Sequence, residues 1–193
     1  MARQKTFNKD EVLKDATNLF WTKGFHQTSI QDLVDTLGIN RASLYDTYHD
    51  KYGLFTHCLT TYRDETLKHV NNTLSEKKTK KGFQNLFKFI TESVSTDTNK
   101  KGCFICNTYA ELLPSENEKI NQFLKETEKL WTKVIFTTLK RGLENNEIKK
   151  NTNIEEASSA IYASIIGLST LSKITNNPLK LKNGLNPHLE IFN

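Results

Sequence analysis

Apolar side chains recur along this chain at helical spacing and almost nowhere alternate as a strand requires. Val12, Leu13, Ala16, Leu19 and Phe20 form a first stripe behind Asn8, an acceptable N-cap, and Lys23-Gly24-Phe25 halts it. Ile30, Leu33, Val34 and Leu37 then follow the i, i+3, i+4, i+7 rule. Thr28 or Ser29 supplies the cap, and Gly38 stands where a left-handed residue closes a helix. Only Gly38, Ile39 and Asn40 separate this second helix from a short third one beginning near Arg41, which matches the glycine-containing corner of a helix-turn-helix.

Further along, Leu54, Phe55, Cys58, Leu59, Tyr62 and Val70 predict a long helix from Lys51 to about Leu74, ended by the lysine-rich run 75–81, which reads as a solvated loop. Phe83, Leu86, Phe87, Ile90 and Val94 predict the next helix, and a polar loop at 97–102 leads into a short one over 103–113, ended by Pro114. Ser115 with Glu118, and Thr152 with Glu155, have the spacing of capping boxes ahead of two long helices. The first carries Ile120, Phe123, Leu124, Trp131, Val134, Ile135 and Leu139; the second runs from 154 to about 174. Residues 176–193 read as a weakly ordered tail. The fold class is all-α, with eight or nine helices, a head at 1–50 and a body at 51–193.

Composition narrows the function. A total of 27 Lys+Arg against 22 Asp+Glu gives +5, which permits a polyanionic partner without requiring one. Residues 1–55 hold seven basic and seven acidic side chains, so any contact with nucleic acid rests on where single cations sit. Three cysteines form no even disulfide framework and no secretion signal is present, which fits a reducing cytoplasm. The most apolar segment, 157–172, contains five serines and falls short of the ~20 apolar residues of a membrane span. No phosphate-binding glycine loop, nucleophile elbow or zinc-protease motif occurs, so an enzyme carrying an incidental helix-turn-helix is disfavoured, and no cofactor is implied.

In a helix-turn-helix the short third helix enters the major groove while its neighbours brace it against the backbone. Its early outward positions here are Arg41, Ala42 and Ser43, then Tyr45 and Thr47. Arg41 offers a fork to guanine or phosphate, and small Ala42 permits close approach. Lys51 opens the fourth helix beside exposed backbone amides, and Thr28 and Ser29 open the second. Tyr48 reads as core. Arg3 and Lys5 stand on an arm ahead of the first helix.

The series Gly24, Thr28-Ser29-Ile30, Asp32-Leu33, Leu37-Gly38-Ile39, Arg41, Ser43-Leu44-Tyr45, Tyr48, Asp50-Lys51 and Leu54-Phe55 resembles, at each spacing, the DNA-binding head of the tetracycline-repressor (TetR) family. Thr47 and Tyr48 depart from the His or Tyr and the Phe common there. The resemblance implies an all-α homodimer that represses transcription from a palindromic double-stranded operator and is released by a small-molecule effector. It also implies contacts to DNA from Thr28, Arg41, Ser43, Tyr45 and Lys51. The segment 102–112, GCFICNTYAEL, resembles a G-C-[LF]-x2-N-x3-E stretch found in one branch of that family.

In the body, Trp131, Ile135 and Leu139 with Ile161, Ile165 and Leu168 are candidates for a dimer seam, next to small residues at Ala157, Ala160, Ala163, Ser164 and Gly167. Phe87, Cys103, Phe104, Asn107, Tyr109, Trp131 and Tyr162 are candidates for an effector pocket, each with simple core packing as the alternative. Cys103 and Cys106 share a helical face near a helix start and beside Lys100 and Lys101, a setting that favours a thiolate and opens a second reading as an electrophile or redox sensor. No second cysteine pair and no ligand-spaced histidines complete a zinc site.

Overall fold

The computed structural model describes residues 8–175 and 177–193, so Arg3 and Lys5 lie outside the described residues. It is all-helical: α1 Lys9–Lys23, α2 Ile30–Leu37, α3 Arg41–Tyr48, α4 Lys51–Leu74, α5 Thr79–Ser95, α6 Phe104–Leu112, α7 Glu118–Glu144, α8 Ile154–Leu171 and α9 Pro178–Leu185, followed by a 3-10 turn over Asn186–Ile191. Extended pairing among the described residues is limited to an isolated antiparallel bridge between Ile148 and Phe192. No helix of the described residues is long and apolar enough to cross a membrane.

Local signals account for most boundaries. Asn8 caps α1, Ser29 and Asp32 form a reciprocal capping box on α2, and Gly38 closes α2 with φ 62. Three expectations need correction. The lysine run is not all loop, because α5 already begins at Thr79, whose N–H donates to Glu147 Oε2 at 2.8 Å from the far α7–α8 connection. The boxes expected from Ser115 and Thr152 are replaced by Asn117 and Asn153, whose side chains accept from Lys119 N and from Glu155 N and Glu156 N. The tail is built structure. Asn177 caps α9 with Pro178 in its first turn, and Leu181, Leu185 and Phe192 are buried.

The core forms two clusters. One joins α1, α2 and α3 to the first half of α4, to α6 and to the start of α7, through residues such as Phe20, Leu33, Leu44, Phe55, Phe104 and Phe123. The rings of Phe20 and Phe55 meet edge to face at 5.0 Å, and Phe55 meets Phe104 at 5.5 Å, so the head is packed onto the body by aromatic contact. The other cluster joins the end of α4 to α5, α7, α8 and α9.

The seam expected from Trp131, Ile135, Leu139, Ile161, Ile165 and Leu168 is corrected here. Ile135, Leu139 and Ile161 are completely buried within one chain, and Ile165 and Leu168 nearly so, since they fill the second cluster. The outward side of α8 instead carries Ala160, Ala163, Gly167 and Leu171, with Ile174 exposed beyond it.

Candidate nucleic-acid interface

Asn40 caps α3 by accepting from Ser43 N at 2.8 Å, and Leu44 and Tyr48, four residues apart, turn one side of this short helix into the core. Arg41, Ala42, Tyr45 and Asp46 are therefore exposed together, and Ser43 and Thr47 are half-buried at the edges. Tyr45 keeps 39% of its surface open, unusual for a large ring, and no ion pair among the described residues involves Arg41. Tyr48 is core, as its spacing indicates. The corner into α4 is tight: a Cβ on Gly53 would fall 1.9 Å from the Tyr48 carbonyl oxygen.

The flanks differ from the sequence reading at one position. Thr28 is completely buried, and its hydroxyl donates to the Gly24 carbonyl at 2.6 Å, so it pins the α1–α2 turn and has no free donor for phosphate. Ser29 is exposed, but its hydroxyl and N–H both donate to Asp32, each at 2.7 Å. Lys23 binds the same carboxylate at 2.6 Å, and these partners, Lys23 foremost, hold the Asp32 carboxyl well below the usual range. Lys51 follows the N-cap Asp50, and its ammonium lies 4.3 Å from the centre of the Phe25 ring. Partial burial pushes its pKa down, against the opposing pull of Glu111 and Asp32.

Residues 12–58 match the bacterial regulatory proteins of the tetR family, and residues 82–186 match the tetracyclin repressor-like C-terminal domain. The chain belongs to the TetR family. It is a DNA-binding transcriptional regulator and not an enzyme. It is 27% identical over 194 residues to the HTH-type transcriptional regulator YezE of Bacillus subtilis (strain 168), covering 100% of both chains. With the HTH-type transcriptional repressor ComR of Escherichia coli (strain K12) it shares 27% identity over 169 residues, 86% of this chain and 80% of ComR. Among solved structures it resembles a cysteine mutant of the TetR-family regulator CifR complexed with 26bp double-strand operator DNA, with TM-score 0.87, 21% identity and 100% of both chains covered. It also resembles reduced E. coli NemR, with TM-score 0.82 and 16% identity over 96% of this chain and 97% of that one.

In this TetR-family body a cavity of about 430 Å³ opens between α4, α5, α7 and α8, bounded by the loop that precedes α6. Trp21, Tyr62, Phe89 and Trp131 supply its aromatic walls, with Cys103, Lys101 and Ser169 among its polar groups. Of the pocket residues expected from sequence, only Cys103 and Trp131 line it. Phe104 is core against Phe55 and Tyr62, and Phe87 borders a separate groove of about 880 Å³ between α5 and α9, with lysines 81, 88 and 182 on its walls. Asn107 donates to the Lys101 carbonyl at 2.8 Å and accepts from Lys173 at 3.1 Å, which fixes the loop. Tyr109 and Tyr162 join hydroxyls at 3.2 Å, and Tyr109 also donates to the Leu124 carbonyl at 3.3 Å, so both work as internal struts. Tyr62 escaped the sequence reading because it sits in a stripe that packing alone would explain, and Trp21 because it stands near the end of α1 with no local mark of a cavity.

The three cysteines are unlike one another. Burial pushes the Cys58 thiol up to about 12. Cys103, the N-cap of α6, is held below the usual thiol range, first by the neighbouring Cys106 thiol and then by nearby backbone amides and by Tyr62, whose hydroxyl donates to its sulfur at 3.7 Å. Cys106 is pushed well up in return. The expected help from lysines does not appear: Lys101 lies over the Trp21 ring at 4.4 Å, and Lys100 is exposed.

Proposed function

We propose that the protein is a homodimeric repressor of the branch marked by the G-C-[LF]-x2-N-x3-E segment, working in the cytoplasm and released from a palindromic operator by a small molecule. Residues 1–50 act as the reading head and 51–193 as the sensing and dimerising body. The observation that carries this reading is the outward face of α3, where Arg41, Ala42 and Tyr45 stand exposed without side-chain partners among the described residues, of a size to enter a ~12 Å major groove. Ser43, Thr47, Ser29 and Lys51 flank that face, and Thr28 supports it from inside the turn. One head contacts too few phosphates for useful affinity in a genome, so two half-sites read by a dimer are required. The small-residue side of α8 suits that contact, because Gly167 has open space around its α-carbon and lets a partner helix approach closely. The 430 Å³ cavity, walled by aromatics, suits a compact, largely apolar effector.

Selection of duplexes from a random oligonucleotide pool tests the reading. A two-fold-symmetric sequence should be enriched and then protected in footprinting. A pool that emerges unenriched at low salt removes the proposal.

A second reading has its own support in the lowered thiol of Cys103 on the cavity wall: an electrophile or oxidant switches the same head covalently. Treating wild type and Cys103→Ser with a quinone separates the two mechanisms, because release that survives the substitution excludes the thiol.

A further inference from the structure

α6 is tied to the head at both ends. Before its first turn, Trp21 of α1 donates its indole N–H to the Gly102 carbonyl at 3.1 Å, and the same indole is a wall of the cavity. In its last turn, the Glu111 carboxylate accepts from two consecutive backbone amides of the α1–α2 turn, Phe25 N at 3.0 Å and His26 N at 2.8 Å. A cap close to these atoms is accommodated by Gly24, at φ 88, where a Cβ would come within 3.0 Å of the carboxylate. Charge-assisted bonds of this kind are roughly twice as strong as neutral ones.

What Glu111 holds bears directly on the reading face. The turn continues through Thr28 into Ser29, the cap of α2, and the Phe25 ring carries the Lys51 ammonium at 4.3 Å. We propose that Glu111 is the positioning residue through which an occupied cavity reaches the DNA-reading face, with Trp21 as the head residue that meets the occupant. This rests on the reading of the 430 Å³ cavity as the effector site. α6, a nine-residue helix, moves as one rod of ~13 Å. An occupant that displaces Gly102 and Cys103 at one end shifts Glu111 at the other, and the turn loses its two acceptors. The change in operator affinity is bounded by how differently the occupant binds the tied and untied arrangements.

The probe is N-ethylmaleimide added to Cys103, with the modified residue identified by peptide mass, so that the cavity is filled covalently. In wild type, alkylation should lower operator affinity at least tenfold and speed hydrogen exchange at the Phe25 and His26 amides at least tenfold. Glu111→Gln, which keeps shape but can offer one acceptor oxygen at most, should bind operator more weakly before alkylation and lose less than threefold on alkylation. Trp21→Phe, which lacks the indole donor, should also respond less. If alkylated wild type keeps full affinity, the cavity reading falls and the coupling falls with it. If wild type releases DNA while the two amides stay protected, or if Glu111→Gln releases as fully as wild type, the coupling alone is overturned. Should Glu111→Gln fail to fold, exchange in the wild-type chain decides the matter unaided.

Discussion

The Lys51 ammonium rests 4.3 Å from the centre of the Phe25 ring, so a cation on the α3–α4 corner is held in place by the turn between α1 and α2. Two connections of the head thus share one electrostatic contact. Lys51→Ala should weaken operator binding across all sequences and reduce the magnitude of the salt slope by about one. Phe25→Leu should keep the charge and the slope while lowering affinity less. Titration of operator binding against salt concentration distinguishes these outcomes.

Arg41 and Tyr45 stand one helical turn apart on the open face of α3. Arg41→Ala should relax preference at one base step, at about 1–3 kcal/mol, as expected for loss of a bidentate contact. Tyr45→Ala should weaken binding without changing the preferred sequence. Parallel selections from random duplexes with each variant provide the measurement.

Thr28→Val tests a structural role directly. The valine keeps the shape but drops the 2.6 Å bond to the Gly24 carbonyl and leaves that oxygen without the donor, which should lower unfolding stability by about 1–3 kcal/mol. Affinity for operator per folded molecule should change little, because the hydroxyl faces inward. Denaturant melts paired with titrations of active protein check both halves.

The neighbouring Cys106 thiol holds Cys103 below the usual thiol range, so more of it is thiolate at a given pH than for an ordinary cysteine. The rate of alkylation by iodoacetamide should therefore rise and level off at lower pH than that of an ordinary thiol. Cys106→Ser, or better Cys106→Ala, which removes the donor altogether, should move that inflection upward, since the Cys106 thiol is the largest influence on it. A pH series of modification rates followed by mass spectrometry reads the inflection.

Gly167→Glu places a charge on the uncovered side of α8, where nothing among the described residues beyond the adjoining stretch of the helix itself lies within 4 Å of the new Cβ. The chain should fold normally and sediment as a monomer, and operator binding should fall sharply with loss of the second half-site. A dimer that persists in this variant would move the seam to another face.

Helix identity and the reading head were legible in the residues themselves. Stripes at 3.6 spacing, a cap at Thr28 or Ser29, Gly38 at the helix end and the short step to Arg41 are local devices that the residues carry themselves; that the cap is Ser29, boxed with Asp32, came from the structure. The all-helical class followed for the same reason, as did the outward placement of Arg41 and Tyr45 opposite Leu44 and Tyr48. What depended on partners distant in the chain could not be seen there. The start of α5 needs Glu147, the ordered C-terminal helix needs burial of Leu181 and Leu185, and the burial of Thr28 needs the turn that Gly24 makes. Helical spacing marks which side of α8 is apolar, but only the packed body decides that Ile161 and Ile165 face inward and leave the alanines outside. Trp21 as a cavity wall and Glu111 as an anchor for amides 86 and 85 residues away are tertiary facts throughout, because an aromatic or a carboxylate in a helix carries no local mark of what it will touch.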